Sequence, residues 1–264
     1  MRKYLAFAAS AFQTRLVYRT EVWATIFGEL IIILVKIAIW TAVYAGAESV
    51  AGVTLPQMIT YAIISNSLFA AWDNRELLYG IGDSIRTGDV AVFLLKPLRY
   101  PLYLFAVETG KMLFMLLAVV LPTTLIIGLI YGMQPPASAF HAVFFVLYWA
   151  QSFVLLFLLS ALCGLLAFWL MTSFSLDWIF RAFMQLLSGM FVPLWFFPPG
   201  FADVAQHLPF AWIGYYPTAV YLGKLDTADT VLYFGYGMLW TLAAAAAVAA
   251  LWSRASGRLV VQGG

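Results

Sequence analysis

The chain has 264 residues, 64% of them hydrophobic and only 10% charged, with a net charge of +2. A water-soluble domain carries roughly 25% charge, so most of this surface does not face water, and the small net charge argues against a nucleic-acid partner. The single cysteine, Cys163, excludes a disulfide framework and a thiol metal site.

Apolar stretches of about 20 residues recur, the helix length that crosses a hydrocarbon core. A β-barrel would instead alternate over segments of roughly ten residues. The predicted fold class is an all-α membrane protein. The opening MRKYLAFAAS has the charge and apolarity of a signal peptide. Its apolar run is short, however, and Gln13, Arg15 and Arg19 follow without a clear cleavage site, so it is read as retained. Across residues 1–20, Leu5, Ala8, Phe12 and Leu16 recur at helical spacing, which predicts an amphipathic helix in the membrane interface.

Six transmembrane helices are expected next, at about 22–46, 56–79, 102–131, 139–169, 174–195 and 229–253. The third and fourth exceed the minimum and must tilt, kink or protrude, with Pro122 the expected kink. With the N terminus in the cytoplasm, Arg2, Lys3, Arg15, Arg19, Arg75, Arg86, Lys96, Arg99, Arg181, Arg254 and Arg258 fall inside and only Lys224 falls outside. That asymmetry is a strong positive-inside signal. It predicts a multi-pass protein of the cell membrane with both termini cytoplasmic; a prokaryotic membrane is expected.

Some charges fall within the spans. Glu29 and Lys36 lie in the first, about 10 Å apart along its axis and on nearly one face. A charge near mid-membrane needs a partner, protein or water; a polar hub on a substrate path and a structural ion pair both fit. Glu108 and Lys111 are three apart in the third span, and Asp177 and Arg181 are four apart in the fifth, spacings that suit salt bridges on a helix surface. Asp73, Arg75 and Glu76 form a charged girdle beside the loop that follows.

That loop, residues 80–101, is the most polar part of the middle of the chain. Thr87-Gly88-Asp89 is turn chemistry. Val90, Phe93 and Leu94 then share one face of a short helix, which Lys96-Pro97 ends. Such a helix either rests on lipid or docks into a groove on a soluble partner. On the outer side, Ser188 to Lys224 contains ten aromatic residues and Pro193, Pro198, Pro199, Pro209 and Pro217. A segment this apolar does not hang free in water. Residues 196–228, entered through Gly189, are expected to form short re-entrant or interfacial helices, with an aromatic belt as the alternative.

Chemistry on the chain itself is sparse. There is no G-x-x-x-x-G-K-[ST] phosphate loop, no H-E-x-x-H and no G-x-S-x-G. His141 and His207 are far apart in sequence and read as polar residues at loop edges. No enzyme is expected, and energy for uphill movement has to arrive through another subunit or an ion gradient.

Two stretches carry a family resemblance. IRTGDVAVFLLKPLRYP, Ile85 to Pro101, resembles the SGxxxxxLLKP loop of one branch of ABC-2 type exporter permeases, with Thr87 in place of Ser. The stretch LSGMFVPLWFFPPGF, followed by LPF and YYPTAVYLG, resembles the outer segment of that branch. The resemblance implies a single six-span domain over residues 1–264, one half of a dimer with the same or a homologous permease. It implies that Gly88, Asp89, Val90, Phe93, Leu94, Lys96 and Pro97 form a coupling helix docked on a cytoplasmic ABC ATPase dimer, and that the first, second and fifth spans line the path. ATP and Mg would be bound by the ATPase, leaving this chain without a cofactor. The expected function is export of a hydrophobic or amphipathic substrate, such as a drug, lipid or peptide. The competing readings are a secondary transporter or channel using Glu29, Lys36, Glu108 and Lys111 as a relay, and a non-transporting scaffold or enzyme.

Overall fold

The computed structural model describes residues 2–17, 19–72, 74–170 and 173–262; the side chains of Arg19, Asn74, Leu94 and residues 258–262 lie outside the described part, as does Asp73. The chain opens with α1 (Arg2–Leu16) and α2 (Arg19–Val43). A two-stranded hairpin, β1 (Ser49–Val50) antiparallel to β2 (Val53–Thr54), feeds α3 (Leu55–Ala70). Pro56 in the first turn and a 3.1 Å bond from the Thr54 amide to Gln57 start that helix. Then come α4 (Asn74–Thr87), α5 (Asp89–Leu94), α6 (Tyr100–Met115), α7 (Leu121–Tyr131), α8 (Ala139–Leu170) and α9 (Phe174–Leu187). The last elements are α10 (Pro199–His207), α11 (Tyr215–Tyr221) and α12 (Thr227–Gln262).

Among the described residues, four helical stretches are long and apolar enough to cross a membrane: Thr20–Val43, Tyr100–Tyr131, Ala139–Leu170 and Thr227–Gly257. The second of these joins α6 to α7 through a π-helical turn, Leu116–Val120, just ahead of Pro122. Proline has no amide hydrogen to give, and the wide turn absorbs the break. Nearby, the Thr123 hydroxyl donates to the Val119 and Val120 carbonyls at 2.8 and 3.0 Å.

Two expected spans are corrected. The helix expected over 56–79 stops at Ala70, and α4 starts afresh at Asn74 and continues to Thr87, so residues 80–87 are helix rather than loop. The helix expected over 174–195 ends at Leu187. With 16 and 14 residues, α3 and α9 span about 24 and 21 Å, short of a hydrocarbon core of about 30 Å. The final helix, by contrast, runs to Gln262, beyond the expected end at 253.

The centre of the bundle is α8, the most buried of the long helices, against which α4, α11 and α12 pack. Lipid gives little hydrophobic drive between helices, so close approach matters. Gly164 provides it, since a Cβ there would stand 2.9 Å from Ile81 of α4. The other long helices turn large side chains outward, as with Trp23, Phe27 and Val35 of α2 and Leu232 and Leu242 of α12.

α1 packs on α6 through Phe7 together with Ala8 and Phe12 of the expected apolar stripe. Phe7 meets Tyr103 and Phe12 meets Phe114, edge to face, while Leu5 and Leu16 stay exposed. Gly110 of α6 permits the contact, because a methyl group there would run into the Ala8 carbonyl.

Candidate functional site

The sequence-predicted coupling residues form one compact corner. Gly88 caps α5 in the left-handed region, with φ +82°, a conformation that glycine adopts without strain. The Thr87 hydroxyl donates to Asp89 at 2.8 Å and to the Asp83 carbonyl at 3.0 Å, closing the corner. Val90 is fully buried, and Phe93 packs between Tyr100 and Tyr103 at 5.1 and 4.9 Å. The face expected to point outward therefore points inward; the side chain of Leu94 lies outside the described residues. The outward face instead carries Val92, 50% exposed, and Leu95, 87% exposed, with Asp89, Lys96 and Pro97 beside them. The Lys96 ammonium sits 4.8 Å over the Phe93 ring. Lys3 donates to the Pro97 carbonyl and the Arg99 amide donates to the Tyr4 hydroxyl at 3.1 Å, so α1 holds the exit of the corner.

Next to this corner, charges from four helices meet. Lys111 bonds Glu108 at 2.9 Å, the expected pair, and also Glu76 at 2.8 Å. Glu76 in turn bonds Arg15, which lies 3.7 Å from Glu21. Glu76 thus faces two cations, one from α1 and one from α6, which balance its charge where it is half-withdrawn from water. The expected Asp177–Arg181 pair forms, with Asp177 fully buried and Arg75 3.8 Å away.

Glu29 and Lys36 are joined by a bridge that sequence spacing did not suggest. The Lys36 ammonium donates to the Asn66 side-chain oxygen at 3.0 Å, and the Asn66 amide nitrogen donates to Glu29 at 2.6 Å. Lys36 also lies 3.5 Å from the Met190 carbonyl and 5.3 Å from the Phe191 ring. Two further donors reach the same turn: Ser65 to the Met190 carbonyl at 3.4 Å, and Tyr61 to the Gly189 carbonyl at 2.7 Å. Gly189, at φ +73°, makes that turn possible; a Cβ there would meet Tyr61 and Tyr215 at 2.8 and 2.9 Å. The readable sign of this hub was Ser65-Asn66-Ser67, polar residues inside an apolar helix.

The turn leads into the proline-rich segment, where each marked proline sits at a helix start. Pro193 precedes a 3-10 turn at Leu194–Phe196, and Pro198 precedes α10. Pro209 opens a second 3-10 turn, Pro209–Trp212, and Pro217 lies in the first turn of α11. A missing amide hydrogen costs nothing there, because first-turn amides have no partner within the helix. All seven residues of α11 are buried. Trp212 donates to the Tyr233 carbonyl at 2.8 Å, Ser152 donates to the Trp212 carbonyl at 2.7 Å, and Tyr216 stacks on Tyr233 at 5.0 Å. At the far end Lys224 donates to the Gly52 carbonyl at 3.1 Å and to Gln57 at 3.2 Å, and burial pushes its ammonium below the ordinary value.

Long apolar helices around a buried aromatic segment, with bridged charges inside them, define a polytopic helical membrane protein. Residues 30–263 match the family described as ABC-2 family transporter protein, and the chain belongs to that family. It is an ABC transporter permease, a membrane component without ATPase activity of its own, of a family that works with a cytoplasmic ABC ATPase. No curated protein and no solved structure matches the chain.

Proposed function

We propose that this permease is one half of an ATP-driven exporter, paired with the same or a homologous six-span subunit and docked on two cytoplasmic ATPase domains. In this reading both termini are cytoplasmic and residues 1–264 form one domain. The second crossing is made by α3 together with the start of α4. The fifth is made by α9 together with the proline-rich turns, which re-enter the membrane from outside. Substrate is a hydrophobic or amphipathic molecule, such as a drug, lipid or peptide, moved outward along a path beside the Glu29–Asn66–Lys36 bridge.

The observation that carries this reading is α5. It is a short helix on a glycine corner, anchored inward by Val90 and Phe93 and braced by α1, yet leaving Val92 and Leu95 uncovered between polar neighbours. Such a helix transmits force if a groove on the ATPase receives those two side chains. The test uses the full chain reconstituted with its ATPase. The chain alone is expected to turn over no ATP, and the assembly to couple ATP turnover to outward flux. Val92→Asp with Leu95→Asp should release the ATPase while leaving membrane insertion intact. Unchanged ATPase binding and flux in that double variant would remove the coupling role from α5.

A further inference from the structure

An open cavity of about 510 Å³ lies where the start of α1 meets the turn between α5 and α6. Three cations line it, Lys3, Lys96 and Arg99, together with Tyr4, Leu98 and Leu102. All three cations are exposed, and among the described residues none of them forms a salt bridge. Residues 1–20 and 90–107 contain no acid. Asp83 and Asp89, which precede the turn, are already bonded by Arg86 and Thr87.

The cations are held near one another. Lys3 donates to the Pro97 carbonyl, and the Arg99 amide donates to the Tyr4 hydroxyl at 3.1 Å, so Lys3 is fixed beside the Lys96–Arg99 turn. An ammonium has three donors, and Lys3 keeps two for a ligand. Helices α1 and α6 both begin at this cavity, and helix starts add partial positive charge. Positive charge without counter-charge calls for an anion, and the neighbouring surface says which kind. Leu102 is 45% exposed and stands three turns below the exposed Leu113 on one face of the same helical stretch, with Leu117 a turn further on. That stretch, Tyr100–Tyr131, has 32 residues, about 48 Å of helix. A bilayer with its head groups is about 40–45 Å thick, which the stretch matches at a tilt of about 20°. The cavity therefore falls at head-group level, with an apolar strip running from it into the hydrocarbon.

We propose that this cavity binds the phosphate of an anionic phospholipid. Lys3, Lys96 and Arg99 share the phosphate oxygens, Arg99 through its planar fork of donors. One acyl chain lies along Leu102 and Leu113. An acidic protein surface would meet the same cations but leave the leucine strip unused. The inference goes beyond the permease reading and stands without it.

The experiment titrates the delipidated full chain, in uncharged detergent, with phosphatidylglycerol and separately with phosphatidylcholine, and reads bound lipid by native mass spectrometry. Saturable binding of phosphatidylglycerol is expected, about tenfold or more tighter than that of phosphatidylcholine. Lys3→Gln, Lys96→Gln and Arg99→Gln should each weaken it about fivefold, the worth of one cation at an anionic surface. Leu102→Gln should weaken it about threefold. Arg86→Gln removes an exposed cation outside the lining and should bind as the parent does. Equal binding of the two lipids overturns the proposal. So does inorganic phosphate that binds the parent as tightly as phosphatidylglycerol does, which would identify a free anion as the occupant. A triple Gln variant that keeps parental phosphatidylglycerol binding also overturns it, and its loss of the ATPase in co-purification would assign the cations to an acidic protein surface. If Lys3→Gln unfolds for want of its bond to Pro97, Arg99→Gln decides the question alone, and parental binding by that variant overturns the proposal.

Discussion

Two short helices of this chain, α5 and α11, begin alike and end in opposite surroundings. Each is capped by a glycine, Gly88 or Gly214, and each has six or seven residues, too few to persist alone in water. The bundle surrounds α11 completely, closing on it with tyrosine and tryptophan rings. It grips α5 from one side only. The contrast separates two uses of an irregular segment. One completes the core of its own chain, and the other leaves apolar atoms where only a different surface can cover them.

Substitutions can break or sharpen that contrast. The largest effect is expected at Trp212→Ala, which removes a fully buried ring and its bond to Tyr233. It should cost about 3–5 kcal/mol, measured by thermal unfolding in detergent; a cost below about 1 kcal/mol would mean that the segment is peripheral. Asn66→Leu should come next. It strands Lys36 and Glu29 together and should destabilise by roughly 3 kcal/mol. Adding Glu29→Gln and Lys36→Met should recover most of that loss, and failure to recover it would show that Asn66 acts through packing alone. On α5 the two faces should separate. Phe93→Ala is expected to cost about 2 kcal/mol, less than a full core phenylalanine, whereas Val92→Asp with Leu95→Asp stays within about 0.5 kcal/mol while losing the ATPase in co-purification. Equal losses on both faces would erase the difference between the helices. The smallest effect belongs to Glu76. It joins Arg15 of α1 to Lys111 of α6 at a partly exposed rim, where an ion pair is worth about 0–1 kcal/mol. Glu76→Gln should lower thermal stability by no more than about 1 kcal/mol and reduce its dependence on salt, and an unaltered salt dependence would count against the network.

The apolar runs made the helical membrane class legible, because hydrophobic length is a one-dimensional signal. They also marked three of the four long helices to within three residues at each end, and the start of the last, whose end lies nine residues beyond the expected one. The second and fifth runs misled for different reasons. Gly189 begins the turn that ends the fifth in sequence as greasy as a helix interior, where hydropathy does not distinguish a helix from a turn. At the second, Trp72 stands directly before Asp73, Asn74, Arg75 and Glu76, and the expected helix was carried through that polar break to residue 79. Pair spacing exposed Glu108–Lys111 and Asp177–Arg181, which are local. It had no access to Asn66 between Glu29 and Lys36, or to Glu76 between Arg15 and Lys111. Those depend on which helices become neighbours. The inward turn of Phe93 was hidden likewise, since its partners Tyr100 and Tyr103 follow a proline corner of unknown angle.

The wide turn at Leu116–Val120 has a consequence for the whole rod that contains it. One inserted residue rotates everything beyond it by about 100° around the axis. Below the insertion the rod faces α1, and above it the rod faces α2 and α3. A single continuous helix thus keeps two unrelated appointments, as a crankshaft offsets its journals. Deleting one residue from that turn would straighten the shaft and point its upper half at the wrong neighbours.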